Sequence, residues 1–322
     1  MGLSRRGLIV GGVLAGTGVA GLELVRRRTS SVSGRTLRAT PVDRIPPAAA
    51  GESLDFLVTG DTGQDTALRS ELAAAMLELS QRVGAKFVVL AGDNVYPDGV
   101  QSTEDPAWQT HFEEPYGELA ARIPFYPCLG NHDYGGNVEA QIEYSKIQPR
   151  WVFPAPYHSF SQSVSADSQC EFFVLDTPAL RLSSWAEQAR QVSWVEDALE
   201  RSTARWKVAI GHHPMYSGGP KGGSSTVRWE LGNAFARNDV DLYLSGHNHD
   251  LELLDSKRGW LQVISGAGAQ TQDVVESTEH TLFKTERGGF AWVSLREEEA
   301  WIQFESTDGA LGAYRVERGS VV

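Results

Sequence analysis

A glycine-led turn rich in Asp, Asn and His follows a short apolar segment five times in this 322-residue chain. The turns read Gly-Asp-Thr-Gly, Gly-Asp-Asn-Val-Tyr, Gly-Asn-His-Asp, Gly-His-His-Pro and Gly-His-Asn-His, and they begin at Gly60, Gly92, Gly130, Gly211 and Gly246. Any one of them could be an ordinary turn or a helix cap. All five together constrain the fold, because loops beyond the carboxyl ends of strands meet at one edge of an α/β sheet.

Predicted strands and helices alternate around these turns. Apolar runs predict strands at 54–59, 87–91, 125–129, 170–175, 207–210 and 240–244. Helical spacing predicts helices at 66–83, 106–121, 184–201 and 225–238. Beyond Leu251 the chain becomes strands and turns, with strands predicted at 261–265, 290–295, 301–305 and 313–316. This order predicts an α/β domain over residues 53–322 with more than one sheet.

The charge divides the chain into a basic leader and an acidic body. Residues 1–50 carry eight Arg and two acidic residues, a net charge of +6, whereas the remainder carries −18. An acidic body excludes a general nucleic-acid binder, because phosphate backbones attract basic surfaces. Two cysteines in so long a chain exclude a disulfide framework.

The first residues are typical of a twin-arginine export signal. Arg5 and Arg6 precede the uncharged apolar stretch from Leu8 to Ala20, which has the length of a signal segment and is short for a membrane span. Residues 1–28 are therefore predicted to be a signal, cleaved after small residues or kept as a membrane anchor. The predicted partner is the twin-arginine export machinery of a bacterium, and the destination is the periplasm, cell surface or medium. Residues 29–52, rich in Ser, Thr, Arg, Pro and Ala, are predicted to be a flexible linker.

Both cysteines fall in predicted strands. Cys128 and Cys170 are interpreted as two separate core thiols, and a disulfide between them is the alternative that spacing leaves open for an exported protein.

The turns supply enough donors for two metal ions. The seven donor side chains are Asp61, Asp93, Tyr96, Asn131, His212, His247 and His249. A structural zinc site needs about four ligands and usually includes thiolates. Seven oxygen and nitrogen donors suit two metals that share a carboxylate and clamp the attacking and leaving oxygens of a phosphoryl displacement.

As a set, these motifs resemble the purple acid phosphatases of the calcineurin-like metallophosphoesterase superfamily. The resemblance is strongest to the small, single-domain type called tartrate-resistant or type 5 acid phosphatase. It extends to the segments at 136–138, 144–146, 150–154, 175–177, 265–268 and 289–291, and covers roughly Asp55 to Val316. It implies a four-layer αββα sandwich of two mixed sheets flanked by helices. The function it implies is an exported dinuclear-metal acid phosphatase acting on small phosphate monoesters.

The resemblance also implies how the donors divide between the metals. One ion is held by Asp61, Tyr96, His249 and the shared Asp93. The phenolate and two carboxylates of this site suit Fe³⁺, with a purple charge-transfer colour. The other ion is held by Asn131, His212, His247 and the shared Asp93, a donor set that suits Fe²⁺, Zn²⁺ or Mn²⁺.

Hydrolysis is expected to proceed by attack of a metal-bound hydroxide on phosphorus. His132, one residue past the ligand Asn131, is placed to protonate the leaving oxygen. The alternative role for His132 is to orient the metal shell through a hydrogen bond to a carboxylate.

Two positions depart from the family pattern. Animal members tend to carry a histidine where this chain has Lys221, which either clamps phosphate as a fixed charge or is a solvated side chain on a mobile glycine-rich loop. The loss of that histidine leaves the pH optimum open. His213 replaces an aromatic residue and is expected beside the metal ligands, without binding metal.

Other functions share this metal chemistry. A phosphodiesterase or nucleotidase of the same superfamily is the first alternative. A redox-active di-iron protein or a non-catalytic metal-dependent binder is the second. The oligomeric state is unknown from the sequence.

Overall fold

The computed structural model of the protein describes residues 36–49, 51–273 and 276–319. The predicted signal or anchor at residues 1–28 lies outside these residues. Within the described ranges, no helix combines the length and the apolar character needed to cross a membrane.

Fourteen strands of the described chain form two seven-stranded mixed sheets. The strands are β1 (Thr36–Val42), β2 (Leu54–Thr59), β3 (Val88–Leu90), β4 (Phe125–Pro127), β5 (His158–Ser163), β6 (Gln169–Val174), β7 (Trp206–Ile210), β8 (Leu242–Ser245), β9 (Leu251–Asp255), β10 (Leu261–Ser265), β11 (Thr281–Thr285), β12 (Phe290–Leu295), β13 (Glu299–Ser306) and β14 (Gly309–Gly319). The first sheet has the order β1-β14-β13-β12-β2-β3-β4 and the second β11-β9-β10-β8-β7-β6-β5. Strands β2, β3 and β4 are parallel, as are β6, β7, β8 and β10.

The helices lie in the connections between strands. They are α1 (Ala67–Val83), α2 (Glu114–Ala120), α3 (Val138–Ile147), α4 (Ala179–Leu182), α5 (Trp185–Arg201) and α6 (Ser225–Arg237). Side-chain caps fix where the two longest helices begin. Thr66 accepts a hydrogen bond from the backbone of Arg69, and Ser184 forms a capping box with Glu187.

Side chains on the central strands alternate between two apolar layers. On β2, Phe56 and Val58 pack between the sheets with Phe172, whereas Leu57 packs under the first helical layer with Met76. The second sheet alternates in the same way, and its outer face packs against α5 and α6. Strands buried on both faces require covering layers on each side. The predicted αββα sandwich is therefore confirmed.

The predicted flexible linker at 29–52 is wrong for Thr36–Val42, which form β1. This strand pairs antiparallel with β14, with Thr36 opposite Gly319 and Val42 opposite Ala313. It is an edge strand on which only Leu37 is buried, and it carries Arg38 and Pro41. Edge strands with charges and proline have little apolar periodicity, so the composition concealed the strand.

Two smaller outcomes concern the helix predicted at 106–121 and the cysteines. That segment is helical from residue 107, contains a π-helical turn at Gln109–Glu113 and continues as α2. Cys128 and Cys170 are free, fully buried thiols in the layer between the sheets. The interpretation of two separate core thiols is confirmed.

Candidate metal centre

The predicted ligands lie where parallel strands end. Asp61 follows β2, Asp93 and Tyr96 follow β3, and Asn131 follows β4. On the second sheet, His212 follows β7, and His247 and His249 follow β8. The structure brings all seven side chains together at this edge, in two overlapping groups.

The first group surrounds the phenol of Tyr96. Its hydroxyl oxygen lies 2.8 Å from Oδ2 of Asp93, 3.3 Å from Oδ1 of Asp61 and 3.4 Å from Nε2 of His249. The last two atoms are 3.2 Å apart. These are the four side chains that the resemblance assigned to the first metal.

The second group surrounds the imidazole of His212. Its Nε2 lies 3.3 Å from Oδ2 of Asp93, 3.2 Å from Oδ1 of Asn131 and 3.1 Å from Nδ1 of His247. Donor atoms of Asp93, His212 and His247 all lie within 4.8 Å of one another, close enough to hold an ion. Oδ2 of Asp93 belongs to both groups, as expected for a bridging carboxylate.

The backbone at the ligands is held in an unusual conformation. Asp61, Asp93 and His247 have positive φ angles of 54°, 53° and 72°, a region that side chains other than glycine rarely adopt. Such conformations persist where the surrounding structure enforces them, and they cluster at functional sites.

Two glycines permit the close approach of the ligand loops. A Cβ atom on Gly92 would lie 2.7 Å from Nδ1 of His212, and one on Gly130 would lie 2.1 Å from the backbone nitrogen of Asp93. Glycine at these two positions therefore allows neighbouring ligand loops to approach closely.

Hydrogen bonds orient the donors. Nδ1 of His212 donates to the carbonyl of Ala91 at 2.9 Å, which directs Nε2 toward Asp93. The backbone N–H of His247 donates to Oδ2 of Asp61 at 2.7 Å, so one ligand loop holds another.

Burial and neighbouring charges shift the pKa values of the ligands in opposite directions. Burial alone would raise the pKa of Asp93, but the adjacent His212 outweighs burial and holds that pKa well below its usual range. Burial would lower the pKa of His212, but Asp93 and Asp61 raise it to about 9. Burial, His212 and Lys221 lower the pKa of His247 to about 2.

The donor set fits two cations. Buried carboxylates and partly buried phenol and amide oxygens converge with three imidazoles, and the set includes no thiol, which favours hard or borderline ions. In addition, Nδ1 of His249 is buried and lacks a hydrogen-bond partner among the described residues.

His132 contacts the site through its backbone and its ring. Its backbone N–H donates to Oδ1 of Asp93 at 2.9 Å, and its Nδ1 donates to the carbonyl of Pro97 at 2.7 Å. Its ring lies 4.1 Å from the ring of Tyr96. Within the described structure, the side chain of His132 makes no hydrogen bond to a carboxylate.

His213 lies beside the ligands and outside both donor groups. Its ring centroid is 5.0 Å from that of His212 and 4.5 Å from that of His247. Its Nδ1 lies 3.1 Å from Oγ1 of Thr177, and that oxygen also accepts the backbone N–H groups of His212 and His213.

The loop that carries Lys221 has an anchored backbone. Asn248 accepts the N–H of Lys221 at 2.9 Å, while its own amide donates to Ser217 and Gly222. Glu252 accepts the N–H of Gly218. The ammonium of Lys221 donates to the carbonyl of His247 at 2.5 Å and lies 3.3 Å from Nε2 of His249.

Sequence reasoning assigned no role to three polar residues that support the centre. Besides Thr177 and Asn248, Asp133 accepts hydrogen bonds from Gly130 and from Gln141. Burial and the nearby Asp93 raise the pKa of Asp133 to about 6. In the sequence, the position of Asp133 two residues after the predicted ligand Asn131 was the signal that could have indicated this supporting role.

Residues 54–251 match the family model described as calcineurin-like phosphoesterase. The chain belongs to the calcineurin-like phosphoesterases. This phosphoesterase is 31% identical over 297 residues to the human protein named tartrate-resistant acid phosphatase type 5, a match that covers 82% of this chain and 91% of the human one. The resemblance inferred from the motifs is thereby confirmed.

Solved structures share the fold. GAP50, the anchor in the inner membrane complex of Plasmodium, aligns with a TM-score of 0.77 at 24% identity and covers 83% of this chain and 90% of its own. A purple acid phosphatase from yellow lupin seeds aligns with a TM-score of 0.64 at 15% identity and covers 83% of this chain and 53% of its own. At these identities the likeness bears on the fold alone. The relatives named acid phosphatases, among them purple acid phosphatase 4 of Arabidopsis thaliana (29% identical over 280 residues, covering 80% of this chain and 81% of its own), imply a dinuclear metal site, and the described residues include an Asp–His cluster that fits it.

Proposed function

We propose that this phosphoesterase is an acid phosphatase that hydrolyses small phosphate monoesters. The observation that carries the proposal is Oδ2 of Asp93, which is shared by the Tyr96 group and the His212 group. The relative named tartrate-resistant acid phosphatase type 5 supports the same activity.

The donors indicate which ions the two groups hold. We assign Fe³⁺ to Asp61, Asp93, Tyr96 and His249, because anionic oxygen donors favour a trivalent ion. We assign Fe²⁺, Zn²⁺ or Mn²⁺ to Asp93, Asn131, His212 and His247. When bound, the two ions polarise the phosphoryl oxygens and lower the pKa of water.

Two side chains of the chain act on the substrate. Lys221 lies on the His249 side of the centre and binds a phosphoryl oxygen as a fixed positive charge. His132 holds a proton on Nε2 when charged and transfers it to the leaving alcohol oxygen. Its Nδ1 remains hydrogen-bonded to the carbonyl of Pro97, so the ring keeps one orientation during the transfer.

The proposed site of action is outside the bacterial cytoplasm, on the basis of Arg5, Arg6 and the apolar stretch that follows. Replacing both arginines by lysine should keep the protein in the cytoplasm. Unchanged export of that variant would contradict the twin-arginine route.

The test of the activity uses the full chain purified without chelator. A phosphate monoester and a diester are assayed side by side from acid to alkaline pH, with Asp93→Asn as the control for the metal centre. Monoester hydrolysis that peaks below neutrality, with slow diester hydrolysis and an inactive control, is expected. A preference for the diester, or an alkaline optimum, would favour the phosphodiesterase or nucleotidase alternative.

A further inference from the structure

A cavity of about 520 Å³ lies on the outer face of the first sheet. Its wall includes Trp292 and Gln303, which stand opposite each other on β12 and β13, and also Glu305. Trp292 packs in the apolar layer under α1, and Val83 at the end of that helix lines the cavity as well. None of the seven predicted metal ligands is among the residues of the wall. A volume of this size is typical of sites for small molecules.

Glu305 has a buried carboxylate with one oxygen left unpartnered. The residue is 5% exposed. Its Oε1 accepts a hydrogen bond from Nε2 of Gln303 at 2.6 Å, whereas no described residue donates to Oε2. Burial raises the pKa of Glu305, because its negative charge is poorly compensated. A buried carboxylate of this kind requires a further donor, and a ligand in the cavity can supply it.

Two arginines of the wall bring positive charge close to Glu305. Nη2 of Arg82 lies 3.9 Å from Oε1 of Glu305, which is too long for a hydrogen bond. Arg44 is exposed, and no described residue forms an ion pair with it. The backbone N–H of the next residue, Ile45, donates to Oε1 of Gln303 at 3.0 Å. The amide of Gln303 therefore joins the backbone beside Arg44 to the carboxylate.

An apolar surface adjoins these charges. The indole of Trp292 is held in place, because its Nε1 donates to Oδ1 of Asp55 at 2.9 Å. The other oxygen of Asp55 accepts the hydroxyl of Ser53 at 2.6 Å, so this carboxylate is satisfied within the protein. Ile45 and Val83 line the same cavity. An apolar group of a ligand can thus pack against fixed side chains.

The two signs of charge narrow the class of ligand. A simple cation would be repelled by Arg44 and Arg82, and a simple anion would be repelled by Glu305. A zwitterion can satisfy both. In an α-amino acid the ammonium and the carboxylate are attached to one carbon, which matches a carboxylate and a guanidinium that lie side by side without a hydrogen bond.

We infer that this cavity is a binding site for a free α-amino acid with an apolar side chain. The ammonium of the ligand donates to Glu305, and its carboxylate accepts from Arg82 and Arg44. Its side chain packs against Trp292. The site goes beyond the proposed phosphatase function and does not depend on it.

The experiment is calorimetric titration of the full-length protein with three matched compounds. These are L-leucine, 3-methylbutylamine, which lacks the carboxylate, and 4-methylpentanoate, which lacks the ammonium. Glu305→Gln and Arg82→Gln each remove one charge of the site. Glu200→Gln and Arg38→Gln are the charge-matched controls, because both residues are exposed and neither lines the cavity.

The wild type should bind leucine with a Kd below about 1 mM and bind the other two compounds about tenfold more weakly or less. Glu305→Gln and Arg82→Gln should each weaken leucine binding about tenfold, and the controls should resemble the wild type. Saturating leucine should raise the Tm of the wild type and leave that of Glu305→Gln unchanged.

Several results would overturn the inference. They are the absence of leucine binding up to about 10 mM, binding of either single-charge compound as tightly as leucine, or equal weakening in the control variants. Glutamine at position 305 keeps an acceptor for Gln303, and a cooperative thermal transition verifies that each variant is folded. Because no readout involves hydrolysis, failure of the phosphatase proposal would leave this test unaffected.

Discussion

The side-chain oxygen of Asn248 accepts a hydrogen bond from the backbone N–H of Lys221 at 2.9 Å. Asn248 stands between His247 and His249, so the loop that carries Lys221 is attached to the same turn as two predicted metal ligands. The position of Lys221 relative to the centre therefore depends in part on Asn248.

Lys221→Gln is expected to weaken substrate binding. Removal of a charged donor from the phosphoryl group should raise KM for a monoester about tenfold. Steady-state kinetics on the full chain measures this, with Lys86→Gln as the charge-matched control, because Lys86 is exposed and precedes β3 at the far edge of the sheet. A KM equal to that of the wild type would remove Lys221 from the substrate site. Lys221→His with an unchanged pH profile and KM would do the same.

Asn248→Ala should reproduce part of the Lys221 effect. Without the side-chain amide of Asn248, the Lys221 loop loses three hydrogen bonds to this turn, which involve Lys221, Ser217 and Gly222. Because both changes act through one contact, the double variant should lose less than the sum of the single losses. Kinetics of the four proteins in this cycle measures the coupling, and strict additivity would show that Asn248 does not position Lys221.

His132→Ala should lower kcat about a hundredfold or more and leave metal content intact. The link from His132 to Asp93 is a backbone N–H, which alanine retains. The loss should be greater for an alkyl phosphate than for an aryl phosphate with an acidic leaving group, because only the poor leaving group needs the proton. Metal analysis accompanies the kinetics. Loss of metal would point to the orienting role instead.

Asp176→Asn should change how stability depends on pH. Burial raises the pKa of Asp176 from 3.8 to about 6, despite hydrogen bonds from Tyr134 and Ala179. Between about pH 4 and 6 the folded protein retains a proton that the unfolded chain releases, so the free energy of unfolding falls as pH rises through this window. A shift of this size corresponds to about 3 kcal/mol.

The asparagine variant cannot ionise and should lack that decrease. Denaturant unfolding of the wild type and Asp176→Asn at pH 4 and pH 7 measures the difference, which should grow toward pH 7 in favour of the variant. A difference that is independent of pH would show that the carboxyl group titrates normally.

Much of the fold followed from local patterns. The strands at 54–59, 261–265 and 290–295 were predicted with their observed bounds, because they are mainly apolar runs followed by glycine or a charged residue. The centre could be predicted because its donors follow parallel strands directly. Edge strand β1 could not, since its stability comes from pairing with β14 rather than from its own side chains.

Features that depend on tertiary contacts also could not be predicted from the sequence. Helix α4 has four residues, too few for a periodic pattern, so the sequence did not predict it. Thr177 and Asn248 are common turn residues, and their roles depend on partners 36 and 27 positions away in the chain.

The metal stoichiometry of the full chain tests the central claim most directly. The protein is supplied with iron and zinc, freed of unbound metal, and analysed by mass spectrometry as the wild type, Asp93→Asn and Asn131→Ala. The account predicts about two ions per wild-type chain, loss of about one in Asn131→Ala, and loss from both groups in Asp93→Asn. A wild type with a single ion, or an Asp93→Asn variant that keeps two, would contradict a dinuclear centre bridged by Asp93.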